Sequence, residues 1–125
     1  MSHFSKIKTK ITKKDSLIKA LNQLGYAVQE NVLLVNPDDH DHKQWEVEVG
    51  ITNDVGFKKD KDGTFHLVAE LDTWEEPFPV ERFLEKVTQA YAKVVVVETV
   101  QEQGFTVVTE SKSVDNTIEI VAEKW

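Results

Sequence analysis

The sequence predicts an α+β fold: a single largely antiparallel sheet with two helices on one face, forming one domain over residues 1–125. Three stretches carry that expectation. Apolar side chains recur at Val80, Phe83, Leu84, Val87, Ala90, Tyr91, Val94 and Val95, the stripe of an amphipathic helix. Between Trp45 and Thr52 apolar and polar residues alternate, as in a strand with one dry face. Asp62-Gly63 falls between two strand-like runs, residues 55–59 and 64–72, which is the signature of a hairpin.

In chain order, Ile7, Thr9 and Ile11 alternate with Lys6, Lys8 and Lys10 and read as a half-buried strand. Thr12 stands three residues ahead of Asp15, a capping-box variant before the helical stripe Leu17, Ile18, Leu21 and Leu24. Gly25 is placed to end that helix in left-handed geometry, with Tyr26 folding back on the last turn. Residues 26–28 and 32–35 read as two short strands around Glu30-Asn31, and Asn36-Pro37 opens a polar loop. Trp45, Val47, Val49 and Ile51 form the dry face of the next strand, opposite Glu46, Glu48, Gly50 and Thr52. In the hairpin's second strand Phe65, Leu67, Ala69 and Leu71 share a face, which leaves Thr64, His66, Val68, Glu70 and Asp72 on a mostly polar one. The back of the sheet is therefore expected to be wet and the chain a monomer or weak dimer.

Pro79 suits a first helical position, and Glu81 and Glu85 lie near the positive end of the long helix. Val94 to Val97 are four β-branched residues that would also suit a strand from about Lys93. Gly104-Phe105 supplies a second helix-ending pair and decides for one helix to about Gln103. Residues 105–110 and 117–123 close the chain as strands around Asp115-Asn116. LNQLGYAV at 21–28 echoes VQEQGFTV at 100–107, which raises a tandem βαββ pseudo-repeat.

The chain contains no cysteine, so disulfides, thiolate metal sites and cysteine nucleophiles are excluded. No apolar run approaches a membrane span, and MSHFSKIKTK offers no core for a signal peptide. Residues 1–19 hold six lysines and one acid, whereas the remainder holds nine basic and 21 acidic residues. That balance argues against nucleic acid as a partner, since phosphate affinity needs basic surface. Lys6, Lys8 and Lys10 could meet an acidic protein partner, or simply be the wet face of an edge strand.

Asp39, His40, Asp41 and His42 are the densest set of metal-ligating side chains, of the types that hold zinc or another divalent ion. Asp60, Asp62 and Gly63 resemble the start of a calcium loop but lack its closing glutamate, since Leu71 occupies that position. His66 reads as an exposed or satisfied strand residue. Glu75, Glu76, Glu81 and Glu85 are the acids expected near a helix start. Trp74 and Phe78, in an acidic loop, are the aromatic pair that would anchor a protein partner. No phosphate-binding loop, dinucleotide fingerprint, zincin motif or nucleophile elbow is present, and nothing calls for a cofactor.

MSHFSKIKT at 1–9, LNQLGYAV at 21–28, VGF at 55–57, LVAELDTW at 67–74, VERFLEKVTQAYA at 80–92, QGFTVV at 103–108 and the closing Lys124-Trp125 resemble one family along nearly the whole chain. It is the conserved hypothetical family, a domain of unknown function, encoded in cyanobacterial and algal chloroplast genomes. The resemblance implies a soluble protein of photosynthetic cells, in the cytoplasm or the chloroplast stroma, and transfers no catalytic residue. The chain departs from the family between Pro37 and Gln44, and has Ala90 and Lys124 where the family leads one to expect arginine. The residues and the resemblance together favour a non-enzymatic interaction or assembly factor. The alternative is a binding module for a small ligand or divalent metal, or an enzyme of unfamiliar type.

Overall fold

Local chemistry sets where the helices stop. At the end of the first helix Gly25 adopts φ +93°, its amide donates to Asn22 at 3.0 Å, and the Tyr26 amide reaches back to Leu21 at 3.0 Å. This is the paired closure of a Schellman motif, which needs a residue that tolerates the left-handed region. Gly104 ends the second helix, also in left-handed geometry, at φ +87° with its amide on Gln101 at 3.0 Å.

The computed structural model describes residues 4–35, 44–52, 54–71, 74, 78–112 and 118–124. Their order is β1 (Phe4–Lys8), α1 (Lys14–Gln23), β2 (Gln29–Val35), β3 (Gln44–Thr52), β4 (Val55–Lys59), β5 (Phe65–Glu70), α2 (Val80–Glu102), β6 (Phe105–Lys112) and β7 (Ile118–Lys124). The expected α+β class holds. A five-stranded antiparallel sheet runs β1-β5-β4-β3-β2, so β1 and β2 are its edges. The sheet is not single, because β6 and β7 pair with each other as a second ladder. The pseudo-repeat is not confirmed: β2–β3 joins the large sheet through β4, whereas β6–β7 stands as its own pair.

The main core lies between the helices and one sheet face. Leu17 and Leu21 of α1 and Phe83 and Val87 of α2 pack with Val49, Phe57, Phe65, Leu67 and Ala69. Phe83 is its hub. Its ring meets Tyr26 edge-on at 5.5 Å, Trp74 edge-on at 5.3 Å, and Phe57 roughly parallel at 6.4 Å. The β-branched run Val94 to Val97 stays helical, with Val94 buried against the domain.

Several boundaries differ from the sequence reading. Pro79 is the N-cap of α2 rather than its first helical residue. Thr12 does not cap α1: Lys13 is the N-cap and makes no side-chain cap bond. Instead the Thr12 and Lys13 amides both donate to the Tyr91 hydroxyl, at 3.2 and 3.1 Å, so α2 supplies the acceptor that the local sequence lacks. Residues 26–28 are not a strand, and a single strand over 29–35 replaces the expected pair, with Asn31 at φ +53° interrupting the ladder between Glu30↔Val49 and Val32↔Val47. β5 ends at Glu70, so Leu71 is exposed, as is Leu24 at the C-cap of α1. Leu84 and Tyr91 are half-buried.

The largest correction concerns the back of the sheet. All six residues of β5 are buried, including His66, Val68 and Glu70 on the face expected to be wet. Val68 joins Leu34 and Val47 in a second cluster, with Phe4 and Val32 packed on it. Phe4 comes from one edge strand and Val32 and Leu34 from the other, so both edges contribute to the cover over Val68 of β5 and Val47 of β3. Twist of the sheet brings them together, which alternation within a single strand does not reveal. Val47 and Val49, expected on one dry face, fall in different clusters, so the alternation of β3 breaks at Glu48.

Candidate functional site

The hairpin between β4 and β5 is closed by Gly63 N–H to Asp60 at 3.0 Å and Asp60 N–H to Thr64 at 2.8 Å, with Gly63 at φ +86°. A three-residue loop of this type needs its left-handed glycine. Beyond the loop, Thr64 and His66 alternate with Phe65 and so face the back of the sheet. Lys58 of β4 and Lys8 of β1 lie directly across from His66 on either side, and Lys6 lies across from Val68. The β1–β5 pairing thereby places two lysines over a turn more than fifty residues away in sequence.

The result is a compact charged cluster. Asp60, Asp62 and His66 each offer a ligand atom, and these atoms all lie within 4.8 Å of one another. Lys6 Nζ stands 3.6 Å from Asp60 Oδ2, and Lys8 Nζ stands 3.5 Å from Asp62 Oδ2. The Thr64 hydroxyl and amide donate to Asp62 Oδ1 at 2.6 and 2.9 Å. Those two bonds, with Lys8 adding to them, pull the Asp62 carboxyl down to about 2. The Lys61 amide, donating to Asp60 Oδ1 at 3.0 Å, holds Asp60 below its ordinary value, helped by Lys6 and His66 against partial burial. Both acids are therefore anions at neutral pH.

His66 is 9% exposed, and its Nε2 stands 3.2 Å from Asp60 Oδ2. The contact lies at charge-pair distance but off the line that a hydrogen bond requires, so the buried nitrogen has no hydrogen-bond partner. Chemically, the set is one imidazole and two carboxylates facing one another, balanced by two loosely held ammonium groups.

Along the sequence these residues read separately, as the start of a calcium loop without its closing glutamate, a strand histidine and a lysine face. The signal that could join them is the Asp62-Gly63 turn, which folds Asp60 and Asp62 back beside Thr64 and His66 at the start of the next strand. Lys10 is exposed. Trp74 and Phe78 come together over the start of α2, where Trp74 Nε1 donates to the Phe78 carbonyl at 2.7 Å. Both are half-buried against the main core, and Lys86 Nζ sits 4.2 Å above the Phe78 ring. Asp39, His40, Asp41, His42, Glu75 and Glu76 lie outside the described residues. Among the described residues, no helix is long and apolar enough to cross a membrane.

Comparison with known proteins gives a consistent family and no solved template. No solved structure matches the chain. The chain is similar to the uncharacterized protein ycf35 of Pyropia yezoensis, with 34% identity over all of this chain and 98% of the relative. It is similar at the same coverage to the ycf35 proteins of Guillardia theta, at 32% identity, and Cyanophora paradoxa, at 29%. These relatives fit the plastid-encoded group that the sequence motifs resemble. A family model described as "Protein of unknown function (DUF1257)" matches residues 20–121, and the chain belongs to that family.

Proposed function

We propose that the protein is a small non-enzymatic interaction factor that takes up an extended segment of a protein partner along β2. One observation carries this reading: the two edges of the sheet are guarded differently. β1 presents exposed Lys6 and Lys8, the residue type that discourages strand addition. β2 has neither lysine nor proline, and it runs Val32-Leu33-Leu34-Val35 at its end. Leu33 is 50% exposed, and a shallow groove beside it is lined by Asn31, Val32, Glu46 and Glu48. Among the described residues nothing pairs with the outer side of β2. An added strand would satisfy its free backbone groups and cover Leu33.

The setting is the aqueous phase of photosynthetic cells, cytoplasm or chloroplast stroma. The relatives and the lack of a membrane-crossing helix among the described residues support that setting. The test is a photo-crosslinker at position 33 in the full chain, with capture from a phototroph extract. A partner crosslinked at that position and lost from Leu33→Lys is the expected result. Recovery of no stoichiometric partner, or of one that Leu33→Lys retains in full, overturns the reading. A dimer of the chain itself, dissociated by Leu33→Lys in sedimentation equilibrium, also overturns it by making a second copy the occupant.

A further inference from the structure

We propose that Asp60, Asp62 and His66 form a divalent-cation site of the zinc type, with Lys6 and Lys8 as counter-ions that the metal displaces. The proposal is independent of the β2 reading.

The geometry begins with the buried ring. His66 Nε2 is shielded from water and lacks a hydrogen-bond partner, an arrangement that a native interior rarely leaves unanswered. It stands 3.2 Å from Asp60 Oδ2, off the line of a hydrogen bond. Two ligands sharing one metal ion meet in just this way. With bonds of about 2.0–2.1 Å and tetrahedral angles, the distance between two ligand atoms is about 3.3 Å. The third ligand, Asp62, lies within 4.8 Å on an exposed loop, so a side-chain rotation of about 1.5 Å completes the set.

The donor types narrow the ion. An imidazole nitrogen with two carboxylates suits zinc, cobalt or nickel, whereas calcium and magnesium prefer oxygen alone. Three protein ligands leave a fourth position for water. The lysines set the competition. Lys6 approaches the same Oδ2 of Asp60 that faces His66, at 3.6 Å, and Lys8 holds Asp62 at 3.5 Å. Both distances are longer than good charge-assisted hydrogen bonds, so these pairs are the kind that a better cation replaces. The lysines extend into solvent and can swing away without disturbing the ladder of β1.

The experiment uses the untagged full chain, stripped with EDTA and carrying His40→Gln and His42→Gln so that the loop histidines contribute nothing. Co2+ and Zn2+ are titrated by calorimetry, with the visible spectrum of Co2+ reporting geometry. One equivalent is expected, with the intense absorption of four-coordinate cobalt. Asp62→Asn, on an exposed loop, is expected to weaken binding about tenfold without loss of fold. Lys6→Gln is expected to tighten it several-fold by removing the competing charge. In the same protein the His66 imidazole resonances shift on adding Zn2+, a readout that requires no change at a buried position. No binding up to millimolar Zn2+, equal affinity for Ca2+ and Zn2+, or unmoved His66 resonances overturns the site. Unchanged affinity in Lys6→Gln overturns the exchange of lysine for metal.

Discussion

Phe83→Ala is expected to destabilise the protein by about 4 kcal/mol, the middle of the range for removing a buried phenylalanine. Phe83 is 1% exposed, so nearly its whole side chain is lost from the interior. The neighbours cannot readily close the gap. Tyr26 follows α1, Phe57 lies in the centre of the sheet, and Trp74 precedes α2, so three separately anchored elements line the hole. Each aromatic pair adds about 0.5–1.5 kcal/mol beyond area burial. Phe83→Leu keeps most of the volume and gives up those pairs, and it is expected to cost about 1–2.5 kcal/mol. Urea titration followed by far-UV circular dichroism measures both. With a slope near 2 kcal/mol per molar, the alanine variant shifts the midpoint by about 2 M. If it is already unfolded without urea, the leucine variant supplies the number. A loss below about 1.5 kcal/mol for Phe83→Ala, at unchanged slope, would refute the hub assignment and mean that the helix packs on another face.

Two glycines separate conformation from space. Gly25→Ala meets nothing within 4 Å, so its cost of about 1 kcal/mol comes from φ +93° alone, and Gly25→Asn should recover part of it. Gly56→Ala would place a Cβ 2.8 Å from the Val49 carbonyl and 2.9 Å from Val47, a clash costing about 1–3 kcal/mol that no left-handed-tolerant residue relieves. Tyr91→Phe removes the acceptor for two amides at the start of α1; both remain near water, so thermal unfolding should show a loss of about 0.5–1.5 kcal/mol. Asp62, lowered to about 2, contributes stability that is fully present above the ordinary carboxylate value of about 3.9 and is lost as pH falls through its folded value. In EDTA, Asp62→Asn should therefore flatten the acid limb of the stability curve between those two pH values, and an unchanged limb would count against the Thr64 bonds.

What the sequence made legible was local. The glycine closures at Gly25 and Gly104 and the Asp-Gly hairpin depend on residues within a turn of one another, and each appears where the residues put it. The alternation Phe65-Leu67-Ala69 correctly marked the face that meets the helices. The opposite face could not be read this way, because Val68 is buried by Phe4, Val32 and Leu34 from the sheet's two edges. Likewise, Thr12 looked like a cap because nothing nearby announces Tyr91. Half of the charged cluster was visible as Asp60, Asp62, Thr64 and His66 around the Asp62-Gly63 turn, but Lys6 and Lys8 join it only through strand order, which periodicity does not encode.

The pairing of β1 with β5 also has a consequence in time. A ribosome delivers β1 and α1 first, yet the strand beside β1 is β5, and the acceptor for the Thr12 amide lies 79 positions further on. At about 5–20 residues per second, that distance corresponds to a wait of about 4–16 s during synthesis. The hairpins β2–β3, β3–β4 and β4–β5 can form meanwhile, because their loops close over short separations. Through that interval Leu17 and Leu21 have no second helix to lie on, and the segment waits with six lysines against one acid in its first nineteen residues.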